Sequence, residues 1–306
     1  MDLFQIIDDI AQVEPEVYDR FDSRRAAFRH FLGFGKKVTA AALPLALPAL
    51  FNKAYGQTTS LPSVVVDALN LALQLEYLEK YFYQTALASS ILNSEQSTAF
   101  SIILNDENAH ISTLRAVLGS NAIGDPGRAA FDYTGSQGAT RAPLFPAVFQ
   151  SVNDFLFVGQ NFVDTGVRAY KGASAALIGQ KDLLETAFRI HSVEARHAAR
   201  IRSFRRGGVQ STAAPKSWIS PSETYPPLPN GGGAGAPATV GPYLAGANAS
   251  LYPAESNTTQ VGVNLQAVVS GVSATAGAEA FDEPLDAATV KAIAKNFAAN
   301  PTTLFN

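Results

Sequence analysis

The chain contains no cysteine, and its one methionine is the first residue. The lack of cysteine excludes disulfides, thiolate metal sites and cysteine nucleophiles together, and it leaves the redox compartment open. With sulfur confined to Met1, the folded part offers oxidants almost no sulfur to attack, which suits an oxidising setting as well as compositional drift does. Charge is sparse too: 16% of residues are charged, the net charge is −3 and the pI is about 5.8. No basic surface therefore argues for a nucleic-acid partner. The charge-free apolar stretch from Val38 to Phe51 spans 14 residues. That is short of the ~20 needed to cross a bilayer, so no transmembrane helix is expected. No Ser/His/Asp arrangement or glycine-rich phosphate loop stands out, so nothing points to a hydrolase.

What is present is a foldable chain. Its 306 residues, 47% of them hydrophobic, suffice for one sizeable core with extensions or for two modest domains. From Pro62 to about Ser90 the sequence is rich in Ala, Leu, Val and aromatics with no internal Gly or Pro, and reads as a helix. Asn93 followed by Gln96 gives the start of a second helix, which runs to Leu118 and stops at Gly119. Residues 119–143 read as a long connection. Pro146 suits the first turn of a third helix reaching about Leu177. A turn at Gly179 leads to a fourth helix that ends in Arg202, Arg205 and Arg206 before Gly207-Gly208, cations and glycine being a good C-terminal stop. Short, long and short connections describe two antiparallel hairpins joined by one crossover. The expectation is an all-α four-helix bundle over residues 57–208. Residues 209–306 form a Pro/Gly-rich extension, with a strand or two within Val261–Val272 and a final short helix from about Asp286 to Asn296.

An internal repeat carries the chemistry. The second helix holds Glu107-x-x-His110 and the fourth holds Glu194-x-x-His197, separated by 87 residues. Residues three apart share a helix face, so each Glu and His can reach one point. The same offset relates Tyr83 to Tyr170. It also relates Glu76, seven residues before Tyr83, to Val163, where the repeat fails. Glutamates and histidines converging in a bundle core call for a compensating divalent cation. The alternative is that both pairs face solvent or bind arginines such as Arg115 and Arg202.

Glu76-x6-Tyr83, Glu107-x-x-His110, Tyr170 and Glu194-x-x-His197 resemble the di-iron carboxylate pattern of the ferritin-like superfamily. Leu75-Glu76-Tyr77-Leu78-Glu79, Gly166-Val167 and Ala280-Phe281-Asp282-Glu283-Pro284-Leu285 are similar to one branch of it, the often exported bacterial relatives of plant desiccation-related proteins. The resemblance implies a ferritin-like bundle with iron or manganese bound inside. Glu76, Glu107 and His110 would hold one metal, Glu194 and His197 the second, and Glu107 and Glu194 would bridge the two. Val163 stands where a carboxylate is expected, so the second position should fill sub-stoichiometrically. Asp164 points ~100° away around the helix. Gln160 could lend an amide oxygen. Glu79 shares the face of Glu76 and could swing in, although a partly exposed salt bridge with a lysine is the expectation. Any catalysis would be a slow, ferroxidase-like oxidation of Fe(II) by oxygen or peroxide, its catalytic residues unassigned. The other reading is a structural or stress protein with a vestigial site. A homo-oligomer is left open.

The N-terminal 56 residues read as an export signal or as an extension packed on the bundle. Ser23-Arg24-Arg25 with Phe28 resembles a twin-arginine signal, Val38–Phe51 suits its apolar region, and Ala54-Tyr55-Gly56 offers small residues for cleavage. A periplasmic or extracellular location follows from the first reading. The intact mass of the native exported protein should then correspond to a start near Gln57, and Arg24→Lys with Arg25→Lys should block transport. A mass equal to the uncleaved chain would favour the packed extension.

Overall fold

The computed structural model describes residues 61–211, 213–221 and 241–306. The signal-like segment 1–56 lies outside them. Four long helices dominate: α1 (Ser63–Leu87), α2 (Ser94–Leu118), α3 (Val152–Leu177) and α4 (Lys181–Arg205). α1 packs chiefly on α2 and α3 on α4, and α1 against α3 joins the two hairpins into a bundle. Among the described residues the protein is all-α apart from one two-residue strand pair, β1 (Thr259–Gln260) and β2 (Val263–Asn264). No described helix is long and apolar enough to cross a membrane.

Local chemistry sets the helix ends. At α2 the Asn93 side chain accepts from the Gln96 backbone N–H (2.9 Å) while Gln96 accepts from the Asn93 N–H (3.0 Å), so two otherwise orphaned donors are satisfied reciprocally. α4 closes with Arg202 and Arg205 in its last turn and the chain then turns at Gly207, whose φ of 87° a Cβ would resist. The third helix starts at Val152, not near Pro146. Ser151 is its cap, accepting from the Asp154 N–H, whereas residues 144–151 make turns that bury Phe145 and Val148. Those side chains anchor the crossover: Phe145 stacks 5.6 Å from Phe297, and its N–H donates to the Thr134 carbonyl. A helix begun at Pro146 would spend these anchors on a surface turn.

α3 is buried almost continuously from Asp154 to Arg168, more than one amphipathic stripe provides. Its second face is covered by the C-terminal extension. Arg168, wholly buried, donates to the carbonyls of Leu244, Pro253, Glu283 and Pro284, to that of Pro242, and pairs with Glu255 at 2.7 Å. One side chain thereby gathers three separate stretches of irregular chain, satisfying carbonyls that have no helix or sheet to serve them. Asp164 is likewise held by Arg202 (2.5 Å) and the Tyr243 hydroxyl (2.7 Å). The extension continues through the hairpin, which turns over Val261 and Gly262, both with positive φ as a tight two-residue turn demands. After the short helices α5 (Leu265–Val268) and α6 (Ala274–Ala278) comes α7 (Ala287–Ala294), capped by Asp286 on the Thr289 N–H (2.9 Å). The chain end returns to the crossover and to α1, with backbone bonds Asp132–Phe297 and Ala299–Ala130 and the Phe305 N–H on Gln74.

Contact between α3 and the extension is tightest at Gly172. The Leu285 N–H donates to the Arg168 carbonyl (3.0 Å), and a Cβ on residue 172 would overlap the Leu285 carbonyl oxygen. Because the obstacle is backbone, relief requires the extension to shift. Gly172→Ala should lower unfolding free energy by about 1–3 kcal/mol in thermal or urea melts. Gly179→Ala, where a Cβ meets nothing within 4 Å, should leave stability unchanged or slightly raised. Equal effects would show that the extension does not depend on this contact.

Candidate metal centre

Each of the four helices sends side chains to one point in mid-bundle. α1 contributes Glu76, Glu79 and Tyr83, spaced three and four residues apart on one helix face. α2 contributes Glu107 and His110, α4 Glu194 and His197, and α3 Tyr170 beside Val163 and Gly166. All four glutamates and both histidines are buried, none more than 6% exposed. Arg115 and Arg202 are engaged elsewhere, Arg115 with Tyr77 and the Ile123 carbonyl and Arg202 with Asp164. The alternative, in which the two Glu-x-x-His pairs face solvent or bind such arginines, therefore gives way.

One ligand atom each from Glu76, Glu107, His110 and Glu194 lies within 4.8 Å of the other three. Nδ1 of His110 is 3.1 Å from Glu76, 3.3 Å from Glu107 and 3.2 Å from Glu194. The second histidine stands opposite: Nδ1 of His197 is 3.2 Å from Glu107 and 3.7 Å from Glu194, and its Nε2 meets Asp106 at 3.1 Å. Glu107 and Glu194 thus lie between the two imidazoles, whose ring centres are 6.2 Å apart. The tyrosines repeat this pairing. Tyr83 donates to Glu79 (2.9 Å), and Tyr170 donates to Glu76.

Glu79 overturns its expected role. It does not pair with a lysine at the surface; it is 4% exposed and faces the other carboxylates, while Lys80 pairs with Asp125. The reason is the helix period: three residues from Glu76 and four from Tyr83 leave no outward direction. Opposite it on α3 is Gly166. Glu79 Oε1 and Glu194 Oε2 lie 3.5 and 3.6 Å from where a Cβ of that residue would stand. At the offset of 87, Val163 and Gly166 are the α3 counterparts of Glu76 and Glu79, so both unshared carboxylates come from α1. Gln160, offered as a substitute, points away, its amide oxygen taken by Arg205 and its nitrogen donating to Tyr243. The partner of His197, Asp106, had no signal beyond preceding Glu107.

The arrangement fits a cation by an independent observation. Both carboxylate oxygens of Glu107, both of Glu194 and Nδ1 of His197 are buried without a hydrogen-bond partner, although the imidazoles are close in distance. Orphaned buried acceptors are rare and costly unless something absent from the chain satisfies them. Oxygen and imidazole donors in this number suit a divalent transition metal. Residues 65–206 match the family model of the ferritin-like domain. The chain carries a ferritin-like domain. No curated protein and no solved structure matched it.

Without metal, the centre of this ferritin-like domain stores protons. Burial pushes the Glu76 carboxyl up to about 8, the charges of Glu107 and Glu194 adding to the rise and His110 opposing it. Burial and the charges of Glu194, Glu107 and Glu76 push Glu79 well above its ordinary value. Burial would lower both histidines, but their carboxylate neighbours raise them well above the usual imidazole range. Burial alone would also raise Glu107, yet contacts with His110 and His197 hold it below the normal carboxylate range.

These shifts set a pH dependence. Glu76, Glu79, His110 and His197 bind protons more tightly folded than unfolded, so their contribution is complete below the unfolded values and is lost as pH rises through the raised ones. Glu107 acts oppositely, in strong acid. Metal-stripped protein should therefore lose melting temperature from about pH 5 to about pH 8, most clearly in the interval where Glu76 titrates. Glu76→Gln should flatten that slope. A melting temperature that climbs across the interval would refute this charge assignment.

Proposed function

We propose that the ferritin-like domain is a two-metal carboxylate centre for iron or manganese, with Glu76 and His110 on one side, Glu79 and His197 on the other, and Glu107 and Glu194 shared. The observation that carries this reading is the set of buried atoms on Glu107, Glu194 and His197 that no hydrogen bond satisfies and that meet only one another and His110 at ion-pair distance. Four carboxylates against two imidazoles leave a negative excess that two divalent ions would neutralise. Glu79 offsets the ligand missing at Val163, so the second position need not fill more weakly than the first. The chain's own residues orient and shield. Tyr170 and Tyr83 hold Glu76 and Glu79 by hydrogen bonds. Asp106 on Nε2 of His197 selects the tautomer that leaves Nδ1 free to bind. Bound iron would supply one-electron redox chemistry towards oxygen or peroxide, which no side chain of the centre provides. An exported protein acting in oxidative or desiccation stress is the setting we infer from the N-terminal segment and the sequence resemblance.

Elemental analysis of protein purified without chelators tests this. About two iron or manganese ions per chain are expected, falling to about one in Glu79→Gln with His110 and its partners intact. Val163→Glu should not add a third and should lower stability, since Val163 is wholly buried and its replacement would bring another carboxyl into the core. Absence of metal after incubation with Fe(II) or Mn(II) would instead favour a purely structural bundle.

A further inference from the structure

A cavity of about 490 Å³ lies between α1, α3 and the extension around α7. Its walls include Leu71 and Leu75 of α1, Tyr170 and Ala173 of α3, and Leu285 and Val290 of the extension. The volume falls in the range of small-molecule sites. Charge reaches the lining only through Asp67, which is exposed, and Lys291, whose ammonium is held by the Asn306 carbonyl. Water fills such a space poorly, because each molecule needs two to four polar partners and this lining supplies few.

Two features say what would fill it. First, Leu71, Leu75, Tyr170, Leu285 and Val290 form a floor of buried side chains, each at most 8% exposed. The space opens to the surface past Val64, Asp67 and Ala287, so a small apolar molecule can enter and lie against that apolar floor. Second, Tyr170 separates the cavity from the metal centre: its ring lines the space and its hydroxyl donates to Glu76. A guest would therefore rest against the one side chain that links this cavity to a candidate ligand. The space also depends on the extension, which forms one wall and closes against α3 at Gly172.

We propose that this cavity binds one small, uncharged apolar organic molecule of the medium-chain alkyl class, seated against the ring of Tyr170. Binding needs the cavity alone, whereas any effect on the metal rests on the reading of the centre above. Titration calorimetry of the metal-stripped full chain with 1-decanol is the test. One equivalent should bind, and Ala173→Phe and Ala176→Leu, which fill the space from α3, should each weaken binding about tenfold or more. Ile178→Phe, on an exposed position, should bind as the natural chain does. Melting curves identify any variant that fails to fold, and either filled variant that folds decides the matter. Absence of binding, or uptake of several equivalents unaffected by the filled variants, would overturn the proposal. Metal content measured on the same preparations keeps the two ideas apart: 1-decanol bound by a chain that takes no metal would sink only the metal reading. Two metals with no 1-decanol binding would sink only this one.

Discussion

Four buried glutamates facing two buried histidines are the constraint on which the rest of the structure depends. Even with both imidazoles protonated, two negative charges remain uncompensated in a region shielded from water, where each unpaired ion costs several kcal/mol. Proton uptake by Glu76 and Glu79 is one response, and bound divalent metal is the other. Helices suit this task because their backbone is internally satisfied, leaving side chains to meet the charge without competing amides. The bundle brings four helices to one point, and the capped ends of α2 and α3 help fix the register with which they arrive.

The repeat is structurally asymmetric in a way that its residues explain. Glu107 matches Glu194 and His110 matches His197, and the pairs meet across the bundle as a two-fold relation requires, His110 on Glu194 and His197 on Glu107. On α1, Glu76 and Glu79 have no acidic counterparts, since α3 carries Val163 and Gly166. α3 is packed on its outer face too, where its buried polar groups Asp164 and Arg168 bond to the extension. α1 bears the unshared carboxylates, and the shared tyrosine position supplies one hydrogen bond to each.

The extension is part of the same economy of satisfied groups. It has little regular structure, so its carbonyls need donors, and Arg168 serves five residues' carbonyls from a single buried guanidinium. Its approach is close enough to demand glycine at position 172, yet beside that contact it leaves the cavity behind Tyr170. Coverage of α3 and creation of the cavity are one packing event.

Much of this was legible in the chain itself, for identifiable reasons. Helical periodicity, the Asn93/Gln96 capping box and glycine stops are local, so the four helices and their order could be read with errors only at ends. The late start of α3 escaped because Pro146 favours a first turn locally, whereas burial of Phe145 and Val148 is decided by distant Phe297. The pairing of Glu107-x-x-His110 with Glu194-x-x-His197 was visible because an offset of 87 is a property of sequence. The place of Glu79 was only half legible. Its spacing from Glu76 and Tyr83 puts it on the inward face, but a glutamate beside a lysine also has a reasonable surface partner. The packing of α1 against α3, with Gly166 opposite, decides between the two. Nor could the sequence show Asp106 on His197 or the extension on α3, because which side chains meet across helices depends on packing angles that no local pattern encodes. The sequence by itself determined the helices, their order and the repeated ligand pairs, since these follow from spacing along one chain. The tertiary structure alone decided which carboxylates share a buried point and what covers α3, since burial is a property of neighbours.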